Sequence, residues 1–380
     1  MKPEPIVALL GRRDEPTDGV ADYCAWLGGA LGEFGYQMET VRLDWSDHGW
    51  NATLADLRVK AKAWRGRWVL LQYTTLAWSR RGFPLQAPRI LAVLRTSGLR
   101  CGVVFHDFGP AIGRGAIARV REHCHVYALK KLYAIAERAI FPVPLEKVFW
   151  LPAAHQKAVY IPVGANCPET PVAAHTRSTE AKTVAVFCVT SGPRMATEVE
   201  NISFALKRAR IAVGPLRLIV FGRGSLEANS ALQSEFSGTG IEVETLGVLS
   251  PEEVSRMLAR ADVMLFVRSE ISSRRGSAIA GIASGLPLVC YAGHDTGWPI
   301  TEAGIIPVPV GDREALAAAL ERVLVDGTLW ASLADRSRRA YDQFFSWRAI
   351  AARYADTLGK PAEESIGSAA SKQTEVAHIR

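Results

Sequence analysis

The sequence predicts an α/β protein of two doubly wound domains, each built on a parallel sheet, facing one another across a cleft. Three observations predict it. At 380 residues the chain exceeds the roughly 100–200 residues of one ordinary domain. Short apolar runs alternate with longer amphipathic stretches, the pattern of βαβ crossovers. The alternation stops once, at residues 162–178, and then restarts.

In the first half, strands are expected over 6–10, 38–43, 68–73, 102–105, 139–142 and 158–161, and helices over 21–34, 54–64, 89–96 and 117–136. Pro162, Gly164, Asn166, Pro168 and Pro171 then interrupt the periodicity, which reads as an interdomain linker. In the second half, strands are expected over 183–189, 216–221, 241–246, 263–267, 287–291 and 306–308. Helices are expected over 198–210, 225–236, 251–259, 277–284, 313–325 and 328–345. Domains are thus placed at 1–170 and 180–345. Residues 360–380, rich in Ala, Ser, Glu and Lys with no apolar face, read as a disordered tail.

An apolar content of 48% can fill two cores. The first strand offers about six apolar residues before Gly11, Arg12 and Arg13, too few for a signal peptide or a membrane span, so a cytoplasmic location is expected. Six scattered cysteines, with no C-x-x-C pair, suit buried thiols in a reducing compartment. The net charge of +7 lies wholly in the first half: residues 1–170 hold 22 Lys/Arg against 15 Asp/Glu, and residues 51–150 hold 17 against 5. A basic half beside a neutral one predicts different partners, the basic one an anionic surface or acceptor.

Ligands of open α/β sheets sit at the carboxyl ends of strands, so the loops there carry the candidates. After the first strand, Gly11-Arg12-Arg13-Asp14-Glu15-Pro16-Thr17-Asp18-Gly19 opens a helix whose amides, with Gly19 allowing close approach, suit a phosphate or a hydroxyl; alternatively Asp18 is an ordinary N-cap. His106, in Phe105-His106-Asp107-Phe108, ends a strand over the cleft, where it either meets a ligand or is a structural histidine. Gly222-Arg223-Gly224-Ser225 is a Gly-x-Gly turn that serves either phosphate proximity or tight strand–helix packing. The loop Arg268-Ser269-Glu270-Ile271-Ser272-Ser273-Arg274-Arg275-Gly276-Ser277 offers amides, hydroxyls and guanidinium groups that match a diphosphate.

There is no Asp-x-Asp pair, no Walker loop and no Gly-x-Ser-x-Gly elbow. His123-Cys124-His125 holds metal-ligand types, but residues at i and i+2 do not share a helical face, so no metal is expected. From 114 to 138, Ile117, Val120, Leu129, Leu132 and Ala136 recur at near-helical spacing beside Arg119, Arg121, Lys130, Lys131 and Arg138. This reads either as an interfacial helix for an anionic membrane or as a core-packed helix with a solvated basic face.

Across roughly residues 5–358 the chain resembles the retaining GT-B glycosyltransferases of family 4. The resemblance is carried by Asp18-Gly19-Val20-Ala21-Asp22-Tyr23, His106-Asp107, Ile161-Pro162-Val163-Gly164-Ala165-Asn166, Gly247 before Ser250-Pro251-Glu252-Glu253, and Ala261-Asp262-Val263. Ala283-Ser284-Gly285-Leu286-Pro287, Thr301-Glu302-Ala303-Gly304 and Phe345-Ser346-Trp347 complete it. It implies two Rossmann-like domains, acceptor on the first and nucleotide diphosphate on the second, with a last helix at 346–358 returning to the first domain. It also implies that His106 faces the transferred sugar and that Gly19 lies near the donor phosphates.

Two departures stand out. Where the family carries two glutamates with seven residues between them, this chain has Ser272 and Ala280, with Glu270 two residues early. Arg194 stands in for the family's arginine after the first strand of the second domain, with no lysine soon after.

The expectation is a transferase moving a sugar from a UDP- or GDP-linked donor to a lipid-linked or polysaccharide acceptor, retaining and metal-independent, needing no cofactor. Its donor side would use Gly19, Arg194, Gly222, Gly224, Ser272, Arg274, Arg275, Gly276 and Ser277, with His106 at the sugar. The rival readings are a GT-B pseudoenzyme serving glycan assembly and a DNA-modifying glucosyltransferase, although nucleic acid is not the expected partner.

Overall fold

The structure, a computed structural model, describes residues 3–15, 17–109, 115–168 and 181–359. The expected tail at 360–380, part of the expected linker and Arg114 lie outside the described residues.

The first sheet contains β1 (Glu4–Leu10), β2 (Tyr36–Arg42), β3 (Trp68–Tyr73), β4 (Arg100–Phe105), β5 (Arg138–Phe141) and β6 (Ala158–Tyr160), all parallel in the order β2-β1-β3-β4-β5-β6. Helices α1 (Gly19–Leu31), α2 (Trp45–Ala63), α3 (Ala87–Thr96) and α4 (Ala116–Ile135) connect them. The second sheet contains β7 (Lys182–Phe187), β8 (Leu216–Phe221), β9 (Ile241–Thr245), β10 (Val263–Glu270), β11 (Leu288–Ala292) and β12 (Ile305–Pro309), in the order β12-β11-β10-β7-β8-β9. Its helices are α5 (Arg194–Val213), α6 (Ser225–Phe236), α7 (Pro251–Ala259), α8 (Gly276–Ala283), α9 (Arg313–Val325) and α10 (Gly327–Ala340).

Each strand order reverses once, between β1 and β3 in the first sheet and between β7 and β10 in the second. Such reversals leave a crevice outside the strand ends, because the flanking crossovers run to opposite faces. The loops after β1, β3, β7 and β10 are therefore where a ligand is expected.

Several elements differ from the sequence reading, three of them for a visible reason. Helix α2 begins at Trp45 and not at residue 54, because a kink at Gly49 (φ 77°, ψ 160°) joins two helical pieces and Trp45 stacks on Trp50 at 4.8 Å. Strand β10 runs on to Glu270 through a register shift between Phe266 and Glu270. The helix expected over 328–345 ends at Ala340 and passes into a wider π turn at Tyr341–Phe345.

A final helix, α11 (Trp347–Leu358), packs on the first domain. Trp347, Ile350 and Tyr354 share a buried cluster with Ile6, Tyr23 and Trp68. Full burial of such side chains contributes about 1.5–3 kcal/mol each. The Tyr354 and Tyr23 hydroxyls lie 2.7 Å apart, and the indole of Trp68 donates to the carbonyl of Leu358 at 3.1 Å. The chain thus passes between the domains twice. Ile161 lies in the first core and Ala165 in the second, while Phe345 lies in the second and Trp347 in the first. Trp347 donates to the carbonyl of Ala165 at 2.7 Å, and a Cβ on Gly164 would come within 2.6 Å of its ring.

Candidate active site

The loop after β1 is built tightly. A Cβ on Gly11 would sit 2.3 Å from the carbonyl of Ala77, so only glycine lets this loop pass the one after β3, where Arg12 N–H donates to the same carbonyl. Asp18 caps α1 by accepting from Ala21 N–H at 3.1 Å, and Arg42 holds its other oxygen at 2.8 Å. Gly19 is open: an added Cβ would meet only the Asn166 amide, at 4.0 Å. This loop, Gln72, Thr74, Leu76, Asp107 and Arg223 enclose a cavity of about 410 Å³ between the domains.

Arg223 spans that cavity from the turn after β8. Its Nε donates to Thr17 Oγ1 at 2.7 Å and its Nη1 to Asp14 at 2.9 Å. The glycines beside it answer the packing alternative. Gly222 (φ 88°) and Gly224 (φ 75°) adopt left-handed backbone, and Cβ atoms there would fall 2.7 Å from Cys188 Sγ and 2.0 Å from the Val189 carbonyl. Their role is to let the turn approach β7, and Arg223 is the residue that faces the cleft.

His106 packs edge-on to Tyr23 at 5.2 Å between ring centroids, beside Asp107 but not itself among the residues lining this cavity. Its Nε2 lies 2.9 Å from Gln72 Oε1. Burial lowers its pKa to about 4, outweighing the upward pull of Asp107 and Asp18. The ring is therefore neutral at pH 7; with a carbonyl oxygen facing Nε2, that nitrogen carries the proton and Nδ1 the lone pair.

The loop after β10 divides the residues that the sequence grouped. Ser272 is fully buried, and its hydroxyl has no partner among the described residues. Ser273 donates to the Pro142 carbonyl and accepts from Val163 N–H, docking the loop on the first domain. Arg275 donates to Ser269 Oγ at 2.8 Å, while its Nε is buried without a partner. Burial, with Arg274 and Arg268 nearby, lowers its pKa to about 10. Arg268 and Arg223 flank the Cys188 thiol, whose pKa burial nonetheless raises. Gly276 and Ser277 begin α8, with free amides at its N-terminus.

Arg274 turns the other way. It pairs with Asp295 at 3.1 Å, lies over Phe108 at 5.3 Å, and lines a second cavity of about 870 Å³ that also includes Glu270. Arg274 and Arg275, which the sequence reading set on one diphosphate, have different partners, Asp295 and Ser269, while their charges stay close to one another. Arg194 is exposed at the start of α5 and lines neither cavity. The apolar residues expected along one face of 114–138 also divide. Leu129, Leu132 and Ala136 are in the core, but Ile117 and Val120 are exposed. Nine residues, two and a half turns, separate Val120 from Leu129 and place them on opposite faces.

Sequence reasoning did not select Gln72, Asp107, Arg223 and Arg268. Arg223 and Arg268 lay inside quoted loops at strand ends, which is the signal that marks them. His123 is exposed and His125 buried, and among the described residues no group of three or more His, Cys, Asp or Glu is placed to hold a metal ion. The six cysteines are free thiols, all buried but Cys124.

Two six-stranded Rossmann-like domains, with a cleft at both strand reversals and a closing helix on the first domain, define the GT-B fold. Residues 185–326, most of the second domain, match the profile of the family described as Glycosyl transferases group 1. No curated protein sequence matches the chain significantly. Among solved structures it is similar to a sucrose-phosphate synthase from Thermosynechococcus elongatus, at 18% identity over 93% of this chain and 98% of that one, with a TM-score of 0.65. A glycosyltransferase from Rickettsia africae, at 12% identity, covers 95% and 100% of the two chains with a TM-score of 0.65. Anabaena HepE, solved in complex with UDP and glucose, is 14% identical over 93% and 99% of the chains, with a TM-score of 0.63.

Proposed function

We propose that the protein transfers a sugar from a UDP- or GDP-linked donor to a glycan or lipid-linked acceptor, with retention and without a metal cofactor. One observation carries the donor reading. Arg275, Arg274 and Arg268 stand close together at the end of the second sheet, Arg268 and Arg223 flank Cys188, and the pKa of half-buried Arg275 is lowered first by desolvation and then by those like charges. Clustered cations in a poorly solvated place are costly alone and favourable around an anion. A nucleoside diphosphate supplies that anion, as the UDP bound by Anabaena HepE suggests. The guanidinium groups and the α8 amides then stabilise the leaving diphosphate, and His106 offers Nδ1 to a sugar hydroxyl. Retention is carried over from the resemblance to retaining enzymes.

The test is UDP and GDP release from a panel of nucleotide sugars, with and without EDTA, and the anomeric configuration of the product by NMR. Absence of both nucleotide binding and release overturns the donor reading.

A second reading, a binding protein without turnover, is favoured by Ser272 and Ala280. Neither carries a carboxylate, and both are buried. Nucleotide binding without release from any donor would select it.

The site works at the membrane surface in our reading. Ile117, Val120 and Tyr127 are exposed at 66%, 54% and 53% along the outer face of α4, among exposed Arg119, Lys130 and Lys131. That combination suits an anionic phospholipid surface. Among the described residues no helix is long and apolar enough to cross a membrane.

A further inference from the structure

The 870 Å³ cavity lies where the first domain faces Glu270, Arg274 and Asp295 of the second. Five cationic side chains line it, Arg80, Arg81, Arg121, Lys147 and Arg274, against three carboxylates. Two of those carboxylates are already engaged. Asp295 pairs with Arg274 at 3.1 Å, and Asp107 accepts from Thr75 N–H at 2.8 Å. Glu270 stands on the opposite wall, at the end of β10.

The cations are less well matched. Among the described residues, Arg81, Arg121 and Lys147 have no carboxylate within ion-pair distance, and Arg80 reaches only Asp47, at 3.9 Å. Arg121 is held over the Phe83 ring, 5.6 Å from its centroid, so its guanidinium is oriented without being neutralised. Below them His125 is buried, its Nδ1 3.1 Å from both Tyr73 OH and Thr75 Oγ1, and burial lowers its pKa. The floor is thus neutral and hydroxyl-bearing, and the wall is cationic.

This cavity meets the smaller one at Leu76 and Asp107, which line both. A molecule held here would present a hydroxyl to the donor sugar. We propose that the larger cavity binds a phosphate group carried by the acceptor, through Arg81, Arg121 and Lys147. Guanidinium groups match phosphate oxygens in paired geometry, and the ammonium adds a point charge. The volume falls in the range of small-molecule sites, about 300–1,000 Å³, and suits a hexose phosphate or the diphosphate-linked sugar of a lipid. Exposed Leu76 and Phe149 on the lining give the lipid form an apolar contact.

The inference rests on the proposed transfer reaction for the word acceptor, but its test needs no turnover. Titration calorimetry of the full chain with glucose 6-phosphate, and with glucose as the uncharged control, is run with and without UDP. A second arm uses detergent micelles of a short-chain polyprenyl diphosphate hexose against the same lipid without phosphate. At least one phosphorylated probe is expected to bind tenfold or more tightly than its control, with affinity falling as salt rises. The R81Q/R121Q/K147Q variant should lose at least tenfold for that probe while its Tm and its response to UDP stay at wild-type values. Preference for the soluble probe assigns a sugar phosphate, and preference for the micelle assigns a lipid diphosphate. Equal affinity for phosphorylated and unphosphorylated probes in both arms, or unchanged affinity in the triple variant, overturns the proposal. A failure to respond to UDP strikes the donor reading and leaves this one intact.

Discussion

Arg223 of the second domain donates from its Nε to the hydroxyl of Thr17 in the first, 2.7 Å away and 206 positions earlier in the chain. The same guanidinium pairs with Asp14 and lines the smaller cavity, so one side chain both spans the cleft and offers charge to whatever enters it. Arg223→Ala is expected to weaken UDP binding about tenfold, equivalent to about 1.4 kcal/mol. Calorimetry checks this, and an unchanged affinity would remove Arg223 from the donor side.

Arg275 should show opposite signs in two measurements. Replacing a half-buried cation that stands among like charges by an apolar side chain of similar length relieves desolvation and repulsion. Arg275→Met is therefore expected to raise the Tm of the ligand-free protein, by about 2–4 °C for each kcal/mol relieved. The same variant should bind nucleoside diphosphate at least tenfold more weakly, since charge-assisted hydrogen bonds contribute about 1.5–3 kcal/mol. Differential scanning calorimetry with and without UDP reads both.

His106 gives a pH signature. Its folded pKa, about 4, lies below the ordinary 6.5, so between those values the unfolded chain binds more protons than the native one. Stability contributed by the neutral ring is complete above pH 6.5 and is lost as pH falls towards 4, up to about 3 kcal/mol. His106→Gln should flatten the fall in Tm over that window. His106→Ala should depress transfer strongly and leave nucleotide affinity near wild type; an equal loss in both would place the ring elsewhere in the mechanism.

Much of the fold was legible because it is written in local periodicity. Strands β3 and β8 and helices α6, α7 and α9 keep the limits that their patterns gave. Local reading failed where a distant contact decides. The kink at Gly49 is supported by stacked Trp45 and Trp50, and the extension of β10 depends on pairing between Glu270 and Tyr291 of β11. The site was legible as loops but not as directions. Arg274 and Arg275 are adjacent in sequence but bond different partners, Asp295 and Ser269, and Arg223 gains its meaning only from Thr17 and Asp14 across the cleft.

The outer stripe of α4 can be tested apart from the active site. At low salt, wild type is expected to cosediment with phosphatidylglycerol vesicles and not with phosphatidylcholine. Each basic residue near an anionic surface contributes about 1 kcal/mol, so Lys130→Glu with Lys131→Glu should release the protein. Ile117→Asp should act similarly by removing the apolar contact. If wild type stays in the supernatant, the basic face serves a soluble acceptor.

Gly164 and Trp347 bear on how the two halves move. The outward and returning segments lie side by side, joined by the Trp347 hydrogen bond to Ala165, with only a glycine's thickness between backbone and indole. Two tethers that meet at one point hold the domains together there, so any opening of the cleft would turn about that point, with its widest travel at the far rim. Gly164→Ala would jam that pivot, because the added methyl has to displace the indole on which the swing turns.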